Sequence, residues 1–171
     1  MERYQAILHK INDLESTQRI VKGWQMKGQK VVFTNGCFDI LHTGHVTYLV
    51  KAADLGHRLV VGLNTDQSVK RQGKGDERPI NHEDARLMVL ASLGFVDAVI
   101  LFDEDTPLNL IEALAPDILV KGGDYDAEER DTSSKNYIVG SDFILQNGGK
   151  VSTIDLVEGF STTAIVNKLK K

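Results

Sequence analysis

Between residues 30 and 46 the chain reads KVVFTNGCFDILHTGHV. Three apolar residues near its start are typical of a short buried strand, and the polar segment after them leads into a helix at Thr43. The same order of short apolar run, polar turn and helix recurs along the rest of the chain. This alternation predicts a parallel sheet covered on both faces, because right-handed crossover connections place helices there.

The predicted strands are short apolar runs at residues 31–33, 59–63, 98–101, 118–120 and 151–154. Helices are predicted at residues 43–55, 82–93, 106–114, 135–146 and 161–169. Residues 1–28 carry apolar side chains at helical spacing, which predicts two further helices. We therefore expect a doubly wound, Rossmann-like α/β fold with a five-stranded parallel sheet. We expect the chain to divide into an N-terminal helical extension, residues 1–28, and a main domain, residues 29–171.

Composition and charge exclude several classes of protein. The 171 residues are 42% hydrophobic, which is enough for one core. The net charge of -4, with both signs interspersed, gives no electrostatic reason to expect a nucleic-acid partner. A lone Cys37 excludes a disulfide framework, and the chain has neither a signal-peptide pattern nor a bilayer-spanning apolar run. We expect a cytoplasmic protein with no membrane partner.

The segment after the first strand carries the clearest chemical pattern. His42 and His45 flank Gly44 where a helix is predicted to begin. Free N–H groups and the positive end of the helix dipole favour a phosphate at such a position, and glycine leaves room for it. Both histidines can then donate hydrogen bonds to phosphate oxygens. Thr34 and Asn35, at the end of the strand, add a hydroxyl and an amide.

Two other interpretations of these residues remain open at this point. Histidines near a helix start often serve only as caps or as surface groups. The pair also suggests a metal site completed by Asp39 or Cys37, although no second ligand cluster such as C-x-x-C supports it. Cys37 as a nucleophile is less favoured than simple packing, because no base and orienting group are evident near it.

Polar residues also follow the other strands, and in doubly wound folds the ligand lies beyond the carboxyl ends of the strands. Lys70, Lys74 and Arg78 fall in a predicted loop that follows Asp66 at the end of the second strand, where cations can bind a substrate phosphate or the leaving group. A solvated surface loop is the alternative. Ser161–Thr163 opens the last predicted helix, which offers a second helix N-terminus to phosphates.

Residues 36–45 resemble the G-x-F-D-x-x-H-x-G-H signature of the cytidylyltransferase-like nucleotidyltransferase superfamily, and Ser161–Thr163 resembles the Ser/Thr-rich start of its final helix. Within the superfamily the chain looks most like the adenylyltransferase domain of D-glycero-D-manno-heptose 1-phosphate adenylyltransferases. That resemblance extends over about residues 16–171. It rests on residues 34–36, 70–71, 74–75, 78–79, 105–107 and 120–125.

The resemblance implies an enzyme, a nucleotidyltransferase whose catalytic domain is residues 29–171. It would transfer AMP from ATP to the heptose 1-phosphate, giving ADP-heptose and pyrophosphate for the synthesis of lipopolysaccharide core precursors. Mg²⁺ is the implied cofactor, held mainly by the nucleotide phosphates rather than by a protein metal site. Related enzymes often follow a kinase domain, for which this chain has no room, so a stand-alone form is expected. Related enzymes are commonly dimers, which implies a homodimer.

The resemblance also implies roles for individual residues. The implied catalytic residues are Thr34, His42, His45 and Lys74. The implied nucleotide-binding residues are Asn35, Gly36, Cys37, Phe38, Asp39, Gly44, Arg86, Lys121, Gly122, Gly123, Asp124, Ser161, Thr162 and Thr163. The implied residues for the substrate phosphate are Asp66, Lys70 and Arg78. For Arg86, a surface ion pair with Glu83 is the alternative.

Two departures from the family pattern bear on the substrate. Relatives that use CTP and glycerol 3-phosphate carry an arginine where this chain has Leu156, which favours ATP. One extra residue between Lys70 and Lys74, compared with the heptose pattern, leaves the role of Lys74 open.

Three alternative functions stay open: a cytidylyltransferase for glycerol 3-phosphate, an adenylyltransferase for another phosphate ester such as FMN, and a non-catalytic nucleotide-binding module. A hydride-transferring enzyme is disfavoured, because G-x-G-x-x-G is missing after the first strand.

Overall fold

The computed structural model describes residues 2–73, 75, 77–157 and 159–169. Its strands are β1 (Val31–Gly36), β2 (Arg58–Asn64), β3 (Ala98–Phe102), β4 (Ile118–Gly122) and β5 (Lys150–Ile154). Its helices are α1 (Arg3–Leu8), α2 (Leu14–Met26), α3 (Thr43–Ala53), α4 (Asp66–Arg71), α5 (Glu83–Ser92), α6 (Leu108–Leu114), α7 (Ser141–Gln146) and α8 (Thr162–Leu169). In the described part of the chain, none of these helices combines the length and apolar character that crossing a bilayer requires.

The five strands form one parallel sheet in the order β3-β2-β1-β4-β5. The chain builds outward from β1 to β3 and then returns to place β4 on the other side of β1. The order therefore reverses between β1 and β4, which is where doubly wound folds bind their ligands. The predicted fold class is confirmed.

Alternate residues of each strand enter one of two apolar clusters, as the period of two in a strand requires. On β1, Val32 packs on the face covered by α3 and α5, whereas Val31 and Phe33 pack on the face covered by α2, α6 and α7. On β4, Val120 faces the first cluster and Leu119 the second. Burial on both faces explains why β1 to β4 contain continuous apolar runs, whereas the partly exposed β5 does not.

The two predicted N-terminal helices are confirmed, and both pack against the body of the same chain. Val21 on α2 is 1% exposed and belongs to the cluster that contains Val31 and Phe33. Between the helices, Ile11 forms a parallel bridge to Val99, whose N–H donates to the carbonyl of Lys10 at 2.7 Å. This short segment covers the edge of β3, which would otherwise expose unpaired backbone groups.

The segment after β2 is a helix where the sequence predicted a loop, so the expected placement of Lys70 in a loop is wrong. Lys70 lies in the last turn of α4. The Thr65 side chain caps the helix by accepting the N–H of Ser68. Val69 is fully buried, and Arg71 pairs with Asp105 at 2.7 Å. These tertiary contacts stabilise a helix too short to persist alone.

The helix predicted at residues 135–146 is also shorter than expected, since α7 begins only at Ser141. Gly140 precedes it with a φ of 87°, a conformation that interrupts a right-handed helix. A Cβ at this position would lie 2.8 Å from the Ile111 side chain. Glycine therefore meets both a backbone and a packing requirement here.

Candidate active site

A cavity of about 590 Å³ opens at the carboxyl ends of the central strands, where the strand order reverses. Its walls come from the ends of β1, β2 and β4, the loop after β5, and the first turns of α3 and α8. Its described lining residues include twelve predicted site residues: Asn35, Gly36, Cys37, Phe38, His42, Gly44, His45, Lys121, Gly122, Asp124, Ser161 and Thr162.

His42 and His45 lie against each other at the start of α3. Their rings stack with centroids 3.9 Å apart and an interplanar angle of 20°. His42 is the N-cap, and its Nδ1 accepts the backbone N–H of His45 at 3.4 Å. An imidazole that accepts at Nδ1 carries its proton on Nε2 when it is neutral. His42 therefore caps the helix through Nδ1, keeps a donor at Nε2 when neutral, and lines the cavity.

The surroundings of the pair keep both rings uncharged at neutral pH. Burial lowers the pKa of His42. Burial, with the neighbouring His42, lowers the pKa of His45 to about 4, although the backbone of Ile40 acts in the opposite direction. Neutral imidazoles can donate a hydrogen bond to a ligand without adding a fixed positive charge to the cavity. An anion bound here would raise both pKa values, since negative charge favours the protonated form.

Gly44 and Phe38 fix the positions of these rings. A Cβ on Gly44 would lie 3.0 Å from the His42 ring and 3.2 Å from the Cβ of Phe160, so a larger residue would displace one of them. Phe38 has a φ of 44°, and its ring meets His45 edge-on with centroids 5.3 Å apart. The motif thus encodes a packed geometry around the two histidine rings.

A second helix begins at the same cavity. Ser161 precedes α8 and accepts the N–H of Ala164 on its hydroxyl at 3.0 Å, so it caps this helix. Thr162 lines the cavity, whereas Thr163 is not among its described lining residues. The ring of Phe160 lies 6.4 Å from that of His42. The positive ends of α3 and α8 therefore face one opening.

The opposite wall is formed by the end of β4 and the loop after β5. Lys121 donates to the Asn35 side chain at 2.5 Å and lies 5.4 Å from the centroid of the Tyr125 ring. Among the described lining residues it is the one lysine or arginine. Gly122 packs against Leu156, where an added Cβ would come within 3.1 Å of the leucine side chain.

Thr34 and Gly123 are not among the described lining residues of the cavity. The Thr34 hydroxyl is fully buried and lies 2.7 Å from the hydroxyl of Tyr48, which donates in turn to the carbonyl of Val120 at 3.2 Å. Burial raises the pKa of Tyr48 to about 12, so the phenol stays protonated. This chain of hydrogen bonds ties α3 to the ends of β1 and β4. Gly123 packs against the backbone of Asp155.

Asp39, expected near the nucleotide, has a fully buried carboxylate whose partners belong to the protein. It accepts from Arg78 at 2.5 Å and from the backbone N–H groups of Ile80 and Asn81 at 2.9 Å. Arg78, expected to bind a substrate phosphate, is therefore engaged in this ion pair. Because the Asp39 oxygens are already occupied, a metal shared with His42 is disfavoured. Among the described residues, no group of three or more His, Cys, Asp or Glu side chains is arranged to hold a metal.

Arg86 and Asp66 form a second enclosed pair. Arg86 is 2% exposed and donates to Asp66 at 2.7 Å, rather than forming the surface pair with Glu83 that the sequence left open. Neither residue is among the described lining residues of the cavity. Lys70 is exposed on α4 and also lies outside that lining. Lys74 lies outside the described residues.

Several residues of the cavity were not predicted. Tyr48 follows His45 by one helical turn and thus shares its face, which is the sequence signal that identifies it. Asn64 ends β2, a position where ligand contacts are expected. The other unpredicted lining residues are Gln72, Asp105, Thr106, Pro107, Tyr125, Val139, Leu156, Val157 and Phe160. They converge from distant segments, so spacing alone does not reveal them.

Comparisons with known proteins agree with this geometry. The bifunctional protein HldE of Campylobacter concisus is 54% identical over 162 residues, which is 95% of this chain and 31% of that protein. The bifunctional protein HldE of Caulobacter vibrioides is 53% identical over 160 residues, with 94% and 31% covered. The chain thus spans about a third of the length of the curated relatives it matches.

Solved structures share the fold. A lipopolysaccharide core biosynthesis protein from Thermoplasma volcanium superposes with a TM-score of 0.57 at 31% identity, covering 76% of this chain and 98% of that one. Pantoate-beta-alanine ligase from Francisella tularensis, with a TM-score of 0.56 at 14% identity, covers 94% and 76% and shows the fold alone. The cytidylyltransferase-like family model matches residues 33–168. The chain therefore belongs to the cytidylyltransferase-like family of nucleotidyltransferases.

Proposed function

We propose that this chain transfers AMP from ATP to D-glycero-D-manno-heptose 1-phosphate, releasing pyrophosphate and forming ADP-heptose for lipopolysaccharide core synthesis. The observation that carries the proposal is the stacked pair of His42 and His45, which lines the same cavity as the start of α8. The identity with the bifunctional HldE proteins and the likeness to the lipopolysaccharide core biosynthesis protein of Thermoplasma volcanium support the substrate class.

The triphosphate is proposed to lie between the first turns of α3 and α8. Two helix N-termini offer free N–H groups and favourable dipoles to the same anion. His42 donates through Nε2, and His45 contacts the phosphates beside it. The donors are fixed in place by the N-cap bond and by the stacking of the two rings, so they need little rearrangement as charge develops.

The transfer itself needs no general base. The phosphate of the sugar is already an anion, so it attacks the α-phosphorus of ATP in line and displaces pyrophosphate. A bond forms between a sugar-phosphate oxygen and the α-phosphorus while the bond to the bridging oxygen breaks, and pyrophosphate keeps that electron pair. Mg²⁺ carried by the ATP phosphates, rather than by a protein metal site, would offset the charge on the leaving group.

The acceptor sugar phosphate is proposed to occupy the part of the cavity over β1 and β2. Asn35, Asn64 and Gln72 line this side and offer amide groups to sugar hydroxyls. Lys121, held against Asn35, supplies a cation to the acceptor phosphate. Lys70 and Lys74 stay candidates for the same phosphate from the segment after β2.

The nucleotide base is proposed to lie at the apolar end of the cavity, where Leu156 is half exposed and packs on Gly122. An apolar side chain suits the face of adenine and offers no donor to the carbonyl of cytosine. This residue favours ATP over the second candidate, a cytidylyltransferase for glycerol 3-phosphate.

We also propose that the protein acts in the cytoplasm as a homodimer. The location is supported by the small phosphorylated substrates of the proposed reaction. The apolar faces of α1 and α2 are engaged by the body of the same chain, so another surface would form the dimer contact. Light scattering after size-exclusion chromatography distinguishes a monomer from a dimer.

The experiment that tests the proposed function is pyrophosphate release by the purified protein with Mg²⁺, with ATP or CTP against heptose 1-phosphate or glycerol 3-phosphate. Release with ATP and the heptose alone is the expected result. Changing His45 to Ala should lower kcat by about a hundredfold or more, as loss of one donor to a developing charge does. The matched control is His9→Ala, because His9 is exposed at the end of α1 and outside the cavity lining.

The other outcomes have definite meanings. Release with CTP and glycerol 3-phosphate would favour the cytidylyltransferase. Release with ATP and a different phosphate ester would keep the chemistry and change the substrate. Binding of ATP without release in any combination would favour a non-catalytic nucleotide-binding module.

A further inference from the structure

We propose that Arg86 and Asp39 are positioning residues that clamp the turn carrying the histidine pair from two sides, rather than ligands of the nucleotide. The inference rests on the proposed function for its kinetic consequence only. Its geometric part concerns the protein without any ligand.

Arg86 holds the turn from within α5. Its guanidinium donates to the carbonyl of Cys37 at 2.7 Å and to the carbonyl of Asn81 at 3.0 Å, and it pairs with Asp66 at 2.7 Å. The side chain is fully enclosed, so its charge is compensated by these partners rather than by solvent. The planar guanidinium fixes three separate segments relative to one another, which a single ammonium group cannot do.

Asp39 holds the other side of the same turn. Its carboxylate accepts from Arg78 and from two backbone N–H groups of the segment before α5, and the side chain of Asn81 donates to the Asp39 carbonyl at 2.6 Å. Asn81 thus contacts both clamps, because its own carbonyl accepts from Arg86. The two clamps thus form one connected network of polar groups around the turn.

Phe38 lies between Cys37 and Asp39, the two residues that the clamps hold. Its backbone conformation is what we infer that the clamps maintain. Its φ of 44° is unfavourable for a residue with a side chain, so surrounding contacts must maintain it. This conformation directs the Phe38 ring against His45. Release of Cys37 or Asp39 allows the backbone to relax and the ring to withdraw, which exposes His45 and shifts its position.

The decisive experiment compares Arg86→Gln and Arg86→Lys with wild type in two measurements. The first follows the pKa of His45 by NMR in the protein without ligand, with the His45→Gln spectrum to assign the signal by its loss. The second measures kcat and KM for ATP by pyrophosphate release. A positioning role predicts that Arg86→Gln moves the pKa of His45 from about 4 toward 6.5, because the ring loses burial. It also predicts a fall in kcat of about a hundredfold, with Arg86→Lys intermediate in both readouts.

The matched control is Arg58→Gln. Arg58 also forms a partly buried ion pair, at 2.8 Å with Asp97, but at the opposite ends of the strands. The Arg58→Gln substitution should lower the free energy of unfolding while leaving kcat and the pKa of His45 unchanged. If Arg86→Gln fails to fold, Asp39→Asn provides the same test from the other clamp, since it removes the charge but keeps the shape of the carboxylate.

Two results would overturn the inference. An unchanged pKa of His45 in both Arg86 variants, with the loss confined to KM for ATP, would make Arg86 a nucleotide ligand. Equal losses of kcat in Arg58→Gln and Arg86→Gln would reduce the effect to stability. If no substrate pair releases pyrophosphate even with wild type, the proposed function fails, and the ligand-free titration of His45 still decides the inference.

Discussion

His45 is a neutral imidazole in the free protein, because burial and the adjacent His42 ring lower its pKa to about 4. An unfolded chain would titrate the same group near about 6.5. Between these two values the unfolded state takes up a proton that the folded state does not. Falling pH therefore favours unfolding across this window, and the effect is absent above it.

This linkage predicts that wild type loses stability between pH 6.5 and pH 4 more steeply than His45→Gln. The free energy of unfolding, measured by urea titration at several pH values, checks the prediction. Some slope should remain in the variant, because the pKa of His42 is lowered as well. His9→Gln, a change at an exposed position, should follow wild type. Parallel pH profiles of stability for wild type and His45→Gln would contradict a lowered pKa of His45 in the folded protein.

Leu156 gives a second prediction at the residue scale. Leu156→Arg places a charged donor at the end of the cavity where the base is proposed to lie, and a carbonyl of cytosine can accept from it. The ratio of kcat/KM for ATP to that for CTP should fall by about tenfold or more, the usual effect of one hydrogen bond to a charged group. Leu145→Arg, at an exposed position on α7, controls for the added charge. An unchanged ratio would place the base elsewhere.

At the scale of elements, Asp117 joins α2, β1 and β4 at the ends of the strands opposite the cavity. It accepts the N–H of Val31 at 2.9 Å, the ammonium of Lys30 at 3.0 Å and the amide of Gln25 at 3.2 Å. The pKa of Asp117 is lowered by these hydrogen bonds, although burial, the largest single influence, acts in the opposite direction. Its contribution to stability is therefore present above the ordinary aspartate pKa and is lost as the pH falls below it.

Asp117→Ala should lower the free energy of unfolding by about 1–3 kcal/mol at pH 7, since it leaves the Val31 N–H without its partner. The difference from wild type should narrow at acid pH. Pyrophosphate release by the folded variant should stay at the wild-type rate, because Asp117 lies at the far ends of the strands. A loss of kcat without a loss of stability would contradict this division between scaffold and site.

The sequence predicts elements well where burial alone decides them, and poorly where tertiary contacts do. Strands β1 to β4 were predicted from continuous apolar runs that are buried on both faces. The partly exposed β5 was also predicted, although Ser152 and Thr153 interrupt its apolar residues. Helix α4 was missed because Val69 is its one buried apolar residue, and its stability comes from capping and from the pair between Arg71 and Asp105. The spacing of His42 and His45 around Gly44 in the local motif was enough to predict both as site residues.

The charged residues around the motif were harder to interpret. Arginines such as Arg78 and Arg86 are typical of phosphate-binding sites. The sequence does not show that Arg78 pairs with Asp39 and Arg86 with Asp66. These pairs join residues 39 and 20 positions apart. Such partners become apparent only when the fold brings the segments together.

At the scale of the whole molecule, the N-terminal helices are part of the packed structure. Val21→Ala removes both γ-methyl groups from a buried position. It should lower the free energy of unfolding by about 2 kcal/mol, from the lost transfer of about 0.8 kcal/mol per carbon and from the cavity that remains. Met26→Ala on the same helix, at a position 83% exposed, should change the free energy of unfolding by less than about 0.5 kcal/mol. Equal effects, measured by urea titration, would indicate that α2 does not contribute to the core.

The identity of the product decides whether this chain is the proposed adenylyltransferase. The protein, ATP, Mg²⁺ and heptose 1-phosphate are incubated with inorganic pyrophosphatase, and the product is examined by mass spectrometry and by ³¹P NMR. We expect a species with the mass of ADP-heptose and two coupled phosphorus signals, formed by wild type and nearly lost in His45→Ala. Unchanged ATP and heptose 1-phosphate in the presence of wild type, or a product with CMP attached when CTP is supplied instead, would contradict the proposal.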